Sequence, residues 1–196
     1  FSKYFFKKDK NTSKKILNFK NDKLKIGYFS EDLNEHPVGY QISQVLKLHD
    51  RKKFEIYVYS FSDYDRDDEI QRNLIKSVDH FKHLKNVTDE DIAESAKKDR
   101  IDIAVDLMGY TGNTRKVFNY RISPIQIHLF GGTLGSKNID YIIADRIVIP
   151  TNKRKYYSEN LIYLPGTYMP TNNTLEISKH KITKKNMGLP ENSFIF

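Results

Sequence analysis

Of the six histidines in the chain, His36 alone stands just past an apolar, β-like run and just before a Pro-initiated helical pattern, in Glu31-Asp32-Leu33-Asn34-Glu35-His36-Pro37-Val38-Gly39. A neutral imidazole so placed can take a proton from an attacking hydroxyl, because its ordinary pKa lies near neutrality. The competing reading is a helix-capping or surface histidine. Glu31, Asp32 and Glu35 either orient the imidazole, act as base themselves, or are ordinary loop acids. His49, His80, His83, His128 and His180 fall in helix ends, strands or the tail and read as structural. Gly109-Tyr110-Thr111-Gly112 puts two glycines and a hydroxyl after a second apolar run, where backbone amides can approach a ligand, unless it is a plain turn. Gly131-Gly132-Thr133-Leu134-Gly135-Ser136 is glycine-dense enough to cradle an oxyanion, yet it lacks the Gly-x-Gly-x-x-Gly spacing and precedes no clear helix. Asp63-Tyr64-Asp65 fits an Asp-x-Asp pattern able to hold a divalent ion against a diphosphate; followed by Asp67-Asp68 and a helical pattern, it reads more simply as a helix N-terminal charge cluster.

Several chemistries lose their usual support. There is no Walker sequence, no His-Glu-x-x-His and no Gly-x-Ser-x-Gly. Cysteine is absent, which excludes disulfides and Cys-based zinc sites, and the histidines never recur at metal-ligand spacing. The net charge of +8 raises the question of nucleic acid, since Lys and Arg neutralise phosphates. The excess sits in the first 25 residues and in the tail (Lys179, Lys181, Lys184, Lys185), with a balanced middle, and reads as solvated surface. Ile101–Met108 and Tyr141–Ala144 are far shorter than the roughly 20 apolar residues of a membrane helix. No export signal opens the chain, and a cytoplasmic location is expected.

The elements that must position these residues follow from periodicity. Leu24–Ser30, Phe54–Phe61, Phe81–Leu84, Ile101–Met108, Ile125–Phe130, Tyr141–Ala144 and Leu161–Leu164 read as strands. Val38, Ile42, Val45 and Leu46 recur at helical spacing behind Pro37, predicting a helix to Leu48. Acids at 67–69 open a helix to Val78, and Thr88 with Asp91 forms a capping box for a helix to Arg100; 114–120 is a candidate short helix. Strands alternating with helices imply an α/β fold: a Rossmann-like, doubly wound, mainly parallel sheet with helices on both faces. In such a sheet ligands bind beyond the carboxyl ends of the strands at the switch point, which selects the loops 31–39, 62–66, 109–115 and 131–136.

Taken in order, Lys25-Ile26-Gly27-Tyr28-Phe29-Ser30-Glu31-Asp32-Leu33, His36-Pro37-Val38-Gly39, Asp106-Leu107-Met108-Gly109-Tyr110-Thr111, Ser123-Pro124-Ile125-Gln126, Gly132-Thr133-Leu134-Gly135 and Ile139-Asp140-Tyr141-Ile142-Ile143-Ala144-Asp145 resemble the signature of the O-linked N-acetylglucosamine transferase family, bacterial members above all. Tyr156–Pro165 and Met187-Gly188-Leu189-Pro190 extend the likeness, which covers residues 24–196.

The resemblance implies the N-terminal, acceptor-side domain of a GT-B-type glycosyltransferase with two facing Rossmann-like halves. On that reading residues 1–22 are a basic linker or the end of a preceding helical-repeat region, 23–190 the domain, and 191–196 the start of a second half that would bind most of the uridine diphosphate. The implied reaction moves N-acetylglucosamine or another hexose from a UDP-sugar to Ser or Thr of a protein acceptor, with inversion, without a metal or other cofactor, and away from membranes and nucleic acid. His36 matches the histidine of the family's His-Pro motif, with Pro37 beside it. Gly109, Tyr110 and Thr111 match the loop lining the cleft, and Gly132, Thr133 and Gly135 the glycine loop facing the donor sugar. That loop departs from the family's Gly-Tyr-Pro-Gly-Thr: here Phe130-Gly131 runs directly into Gly132-Thr133, two residues short. The alternatives are a non-catalytic basic α/β binding module and a UDP-glucose-dependent protein N-glucosyltransferase.

Overall fold

The structure is a computed structural model that describes residues 22–62, 67–111, 116–174 and 178–195. Among the described residues seven strands form one sheet: β1 (Leu24–Ser30), β2 (Phe54–Ser60), β3 (His80–His83), β4 (Ile103–Asp106), β5 (Ile125–His128), β6 (Tyr141–Ala144) and β7 (Asn160–Tyr163). Their order is β3-β2-β1-β4-β5-β6-β7, and every pairing is parallel. The chain winds outward from β1 in one direction and then returns to β1's other side with β4, so the switch point lies between β1 and β4.

Alternation along the strands divides the core. Ile26, Tyr28, Ile56, Val58 and Val105 face Ile42 and Leu46 of α1 (Pro37–Leu48) and Leu74 of α2 (Glu69–Lys76). Phe29, Tyr57, Tyr59 and Ala104 face Ile92, Ala93 and Ala96 of α3 (Asp89–Asp99), together with Phe118 of a 3₁₀ turn at Val117–Tyr120. Helices thus cover both faces, as expected. Local chemistry fixes their starts: Asp68 caps α2 by accepting from the Gln71 amide, and Thr88 and Asp91 form the reciprocal capping box of α3.

Among the described residues no α-helix follows β4. The remaining crossovers are 3₁₀ turns (Val117–Tyr120, Thr151–Tyr156) and loops, so the regular βαβ alternation holds for the first half of the sheet only. β4 is also shorter than the apolar run Ile101–Met108. Asp106 draws the amides of Met108 and Gly109 onto its own carboxylate, which takes them out of the ladder. Residues after β7 form no further strand or α-helix within the described range, apart from a 3₁₀ turn at Lys185–Met187. Among the described residues no helix is long and apolar enough to cross a membrane.

Candidate functional site

The loops after β1, β4 and β5 converge at the carboxyl edge of the sheet. Phe29 pairs with Asp106 and Asp106 with His128, so three neighbouring strands end at nearly one level. The first two loops also touch: the Glu31 amide donates to Met108 Sδ at 3.3 Å.

His36 is the N-cap of α1. Its backbone is extended, and its Nδ1 accepts from the Val38 amide at 3.2 Å. The capping reading therefore describes its local structure. Asp32 Oδ2 stands 3.8 Å from the same Nδ1, while the side chain is 41% exposed. The two neighbours impose different tautomers. With Val38 donating, a neutral ring carries its proton on Nε2 and presents a donor; with Nδ1–H turned to Asp32, Nε2 becomes an acceptor able to take a proton. Gly39 lets this loop close. A Cβ there would lie 2.1 Å from the Asn34 carbonyl oxygen, so only glycine admits the approach of α1 to the loop.

Asp106 builds the second loop. It holds the Met108 amide at 3.0 Å and the Gly109 amide at 3.1 Å from its nearer oxygen, and its Oδ2 lies 3.1 Å from His128 Nδ1. His128 is 1% exposed, so the imidazole forms a buried floor under the loop. Gly109 sits over it at φ +61°, where a Cβ would come within 2.9 Å of the His128 ring. Thr111 turns its hydroxyl inward, donating to the Met108 carbonyl at 2.7 Å. A cavity of about 20 Å³ opens beside Asp106, Met108, Gly109, Phe118 and Leu134; it has room for a water molecule and none for a sugar.

The glycine loop does bind an anion, and the anion is the protein's own. Glu159, 3% exposed, accepts from Thr133 Oγ at 2.6 Å, the Leu134 amide at 2.7 Å, the Gly135 amide at 3.1 Å and Ser158 Oγ at 3.0 Å. From the other side Tyr110 Oη donates to the Leu134 carbonyl. Burial raises the Tyr110 pKa, and the Glu159 charge adds to the effect. Tyr110, Thr133 and Gly135 are thereby joined into one network, whereas the bonds of His36 stay within its own loop and helix.

Two further motifs turn out to fasten the fold. Gln126, fully buried, accepts from the Ile122 amide and donates to the Phe118 and Asn138 carbonyls. Arg121 grips Asp140 with both terminal guanidinium nitrogens, Nη1 at 3.0 Å and Nη2 at 2.6 Å. Asp145 accepts from the amides of Ile147, Val148 and Tyr168. Neither motif nor spacing marks Asp106, His128 and Glu159 as members of this strand-end network. The only available signal was position, since Asp106 and His128 each end a strand at the switch-point edge. Two of the remaining histidines have side-chain partners within the fold: His49 bonds Tyr28 Oη at 2.7 Å and His80 bonds Glu55 at 2.7 Å. Asp63-Tyr64-Asp65 and Gly112 lie outside the described residues. Among the described residues no group of three or more His, Asp or Glu could hold a metal ion.

Comparison with known proteins places this arrangement. A family model, glycosyl transferase family 41, matches residues 3–192. A probable UDP-N-acetylglucosamine–peptide N-acetylglucosaminyltransferase (SEC) of Arabidopsis thaliana is 32% identical over 89% of this chain and 18% of its own length. The Caenorhabditis elegans UDP-N-acetylglucosamine–peptide N-acetylglucosaminyltransferase is 31% identical over 74% of this chain and 13% of its own. A solved structure of a Thermobaculum terrenum O-GlcNAc transferase mutant superposes with a TM-score of 0.71 and 34% identity, covering 76% of this chain and 29% of that one. The chain thus spans less than a third of each of these relatives. With the family model matching residues 3–192, the chain belongs to glycosyl transferase family 41.

Proposed function

We propose that this chain is the acceptor-side domain of an inverting glycosyltransferase that moves N-acetylglucosamine from UDP-N-acetylglucosamine to Ser or Thr of proteins, without a metal, in the cytoplasm. The observation that carries this reading is the setting of His36 at the switch-point edge of a family 41 domain: Nδ1 accepts from the Val38 amide with the Asp32 carboxylate 3.8 Å away, and the side chain is 41% exposed. Most donor contacts would come from a second domain, and a helical-repeat region would precede the chain.

In the proposed step, Nδ1–H turns to Asp32 and Nε2 takes the proton of the acceptor hydroxyl as its oxygen bonds the anomeric carbon. The carbon–oxygen bond to the diphosphate breaks on the opposite face, and its electron pair leaves with UDP. Inversion needs these atoms nearly in line, so positioning supplies much of the acceleration. A well-placed base adds about 10²–10⁴-fold.

The test is a mass-spectrometric transfer assay on the full-length protein, with UDP-N-acetylglucosamine or UDP-glucose, lysate proteins as acceptors, and His36→Ala alongside. A hexosamine added by wild type and lost in the variant supports the reading; a hexose on Asn points instead to an N-glucosyltransferase. A second reading, a non-catalytic binding module, draws support from the glycine loop, two of whose amides are already occupied by Glu159. Its signature would be no transfer and no donor binding, with a nucleic-acid affinity that falls steeply with salt.

A further inference from the structure

Glu159 is a carboxylate 3% exposed whose bonded partners are hydroxyls and amides: Thr133 Oγ, Leu134 N, Gly135 N and Ser158 Oγ. A buried charge held by neutral dipoles is costly unless every lone pair is engaged, and here the donors converge on both oxygens. Three of these donors belong to one short stretch, 133–135, which lies 24 to 26 residues before Glu159 in the chain. Tyr110 holds the same stretch from the opposite side, through the Leu134 carbonyl. The loop therefore divides in two. Residues 133–135 form a base clamped to the start of β7 and to the β4 loop. Gly131 and Gly132 form an exposed crown, where a Cβ on Gly132 would meet nothing within 4 Å. The crown has open backbone, and its place relative to the strand ends is set by the base.

We infer that Glu159 is a positioning residue of the glycosyl-transfer site: its carboxylate sets the height of the Gly131-Gly132 crown and so fixes how the donor's sugar seats. This rests on the proposed function and on the family resemblance, under which the glycine loop containing Gly132 faces the sugar of the UDP-sugar. Two consequences follow from the bonding. The amides of Leu134 and Gly135 do not bind the diphosphate, because they already hold a carboxylate. Thr133 acts through Glu159, since its hydroxyl proton is committed to Oε2 and its oxygen accepts from Gly135 N at 3.1 Å. Glutamine at 159 would aim an –NH₂ at donors on one side of the clamp and release them. Aspartate keeps the charge but withdraws it by one methylene.

The experiment compares full-length wild type, Glu159→Gln, Glu159→Asp and Thr133→Val by steady-state transfer from UDP-N-acetylglucosamine and by calorimetric binding of UDP, which lacks the sugar. Thermal unfolding checks that each is folded. The expected result for Glu159→Gln is a KM for UDP-N-acetylglucosamine raised about tenfold, with the affinity for UDP unchanged. Glu159→Asp should recover part of that loss, and Thr133→Val, which removes one donor and keeps the carboxylate, should shift KM about threefold. Unchanged KM and kcat in folded Glu159→Gln would overturn the inference while leaving the proposed function standing, as would an equal loss of affinity for UDP and UDP-N-acetylglucosamine. If Glu159→Gln fails to fold, Thr133→Val decides, and wild-type kinetics there overturn the inference. A wild type that transfers no sugar from any donor overturns the proposed function and this inference with it.

Discussion

Asp106 and His128 end adjacent parallel strands and bond side chain to side chain, Oδ2 to Nδ1, at 3.1 Å. With the carboxylate accepting, a neutral His128 carries its proton on Nδ1, the reverse of His36 in its capping bond. In these two bonds His36 and His128 carry opposite tautomers. Asp106 is 7% exposed and also holds the Met108 and Gly109 amides. Asp106→Asn would direct an amide group at one of these donors. A stability loss of about 1–3 kcal/mol is expected, measured as a shift in the urea midpoint; a wild-type midpoint would show that the β4 loop does not depend on this carboxylate.

His36→Ala removes both a cap and a candidate base, so the two must be separated. The cap alone is worth about 0.5–2 kcal/mol. His36→Asn keeps a capping acceptor and lacks the imidazole, so it should unfold close to wild type yet transfer at least about tenfold more slowly. Asp32→Asn should slow transfer as well, by weakening the tautomer that frees Nε2. If His36→Asn turns over like wild type, the imidazole has only a structural role.

Gly39→Ala tests the seat of the same loop. The added methyl collides with the Asn34 carbonyl, which is backbone and cannot swing away. The helix must withdraw from the loop, at a cost of about 1–3 kcal/mol. Because Asn34 O also accepts the His36 amide at 2.6 Å, transfer should fall with stability. Hydrogen exchange at the first turn of α1 would report the displacement directly.

The acid limb of the stability curve should contain Asp145. Its carboxyl is held below the ordinary value of 3.8, first by the Val148 amide and then by those of Tyr168 and Ile147. A folded-state pKa that is depressed means stabilisation present above the ordinary value and lost as pH falls through the lowered one. The gap in urea midpoint between wild type and Asp145→Asn should therefore be full at about pH 6 and shrink below about pH 4. A gap that stays constant across that range would place the effect elsewhere.

Much of this fold is legible in the sequence alone. β1 and β6 begin and end where their apolar runs do, and Pro37 and the Thr88–Asp91 box mark helix starts at the right residues. These signals are local: alternation, a fixed φ, a reciprocal cap. The trimmed end of β4 was not legible, because a side chain two residues back outcompetes the ladder for the Met108 amide. Nor is the role of Glu159 legible, because its partners in the glycine loop are 24 to 26 residues away and meet it only once the chain has passed through β6 to the start of β7. The Ser123–Gln126 motif was legible as a pattern and silent about its purpose, which is to tie β5 to the preceding 3₁₀ turn through Gln126.

The central place of β1 has a consequence for synthesis. Its partner on one side, β2, follows closely, with Lys25 meeting Tyr57 across 32 residues. Its partner on the other, β4, arrives much later: the Lys25 amide meets Asp102 across 77. A growing chain leaving the ribosome can thus assemble β1, β2 and β3 while the other edge of β1 is still bare. Until β4 emerges, that edge presents unpaired backbone flanked by Ile26 and Phe29, a template for the wrong strand as much as for the right one. Nascent chains stalled before residue 103 should be the ones that chaperones hold.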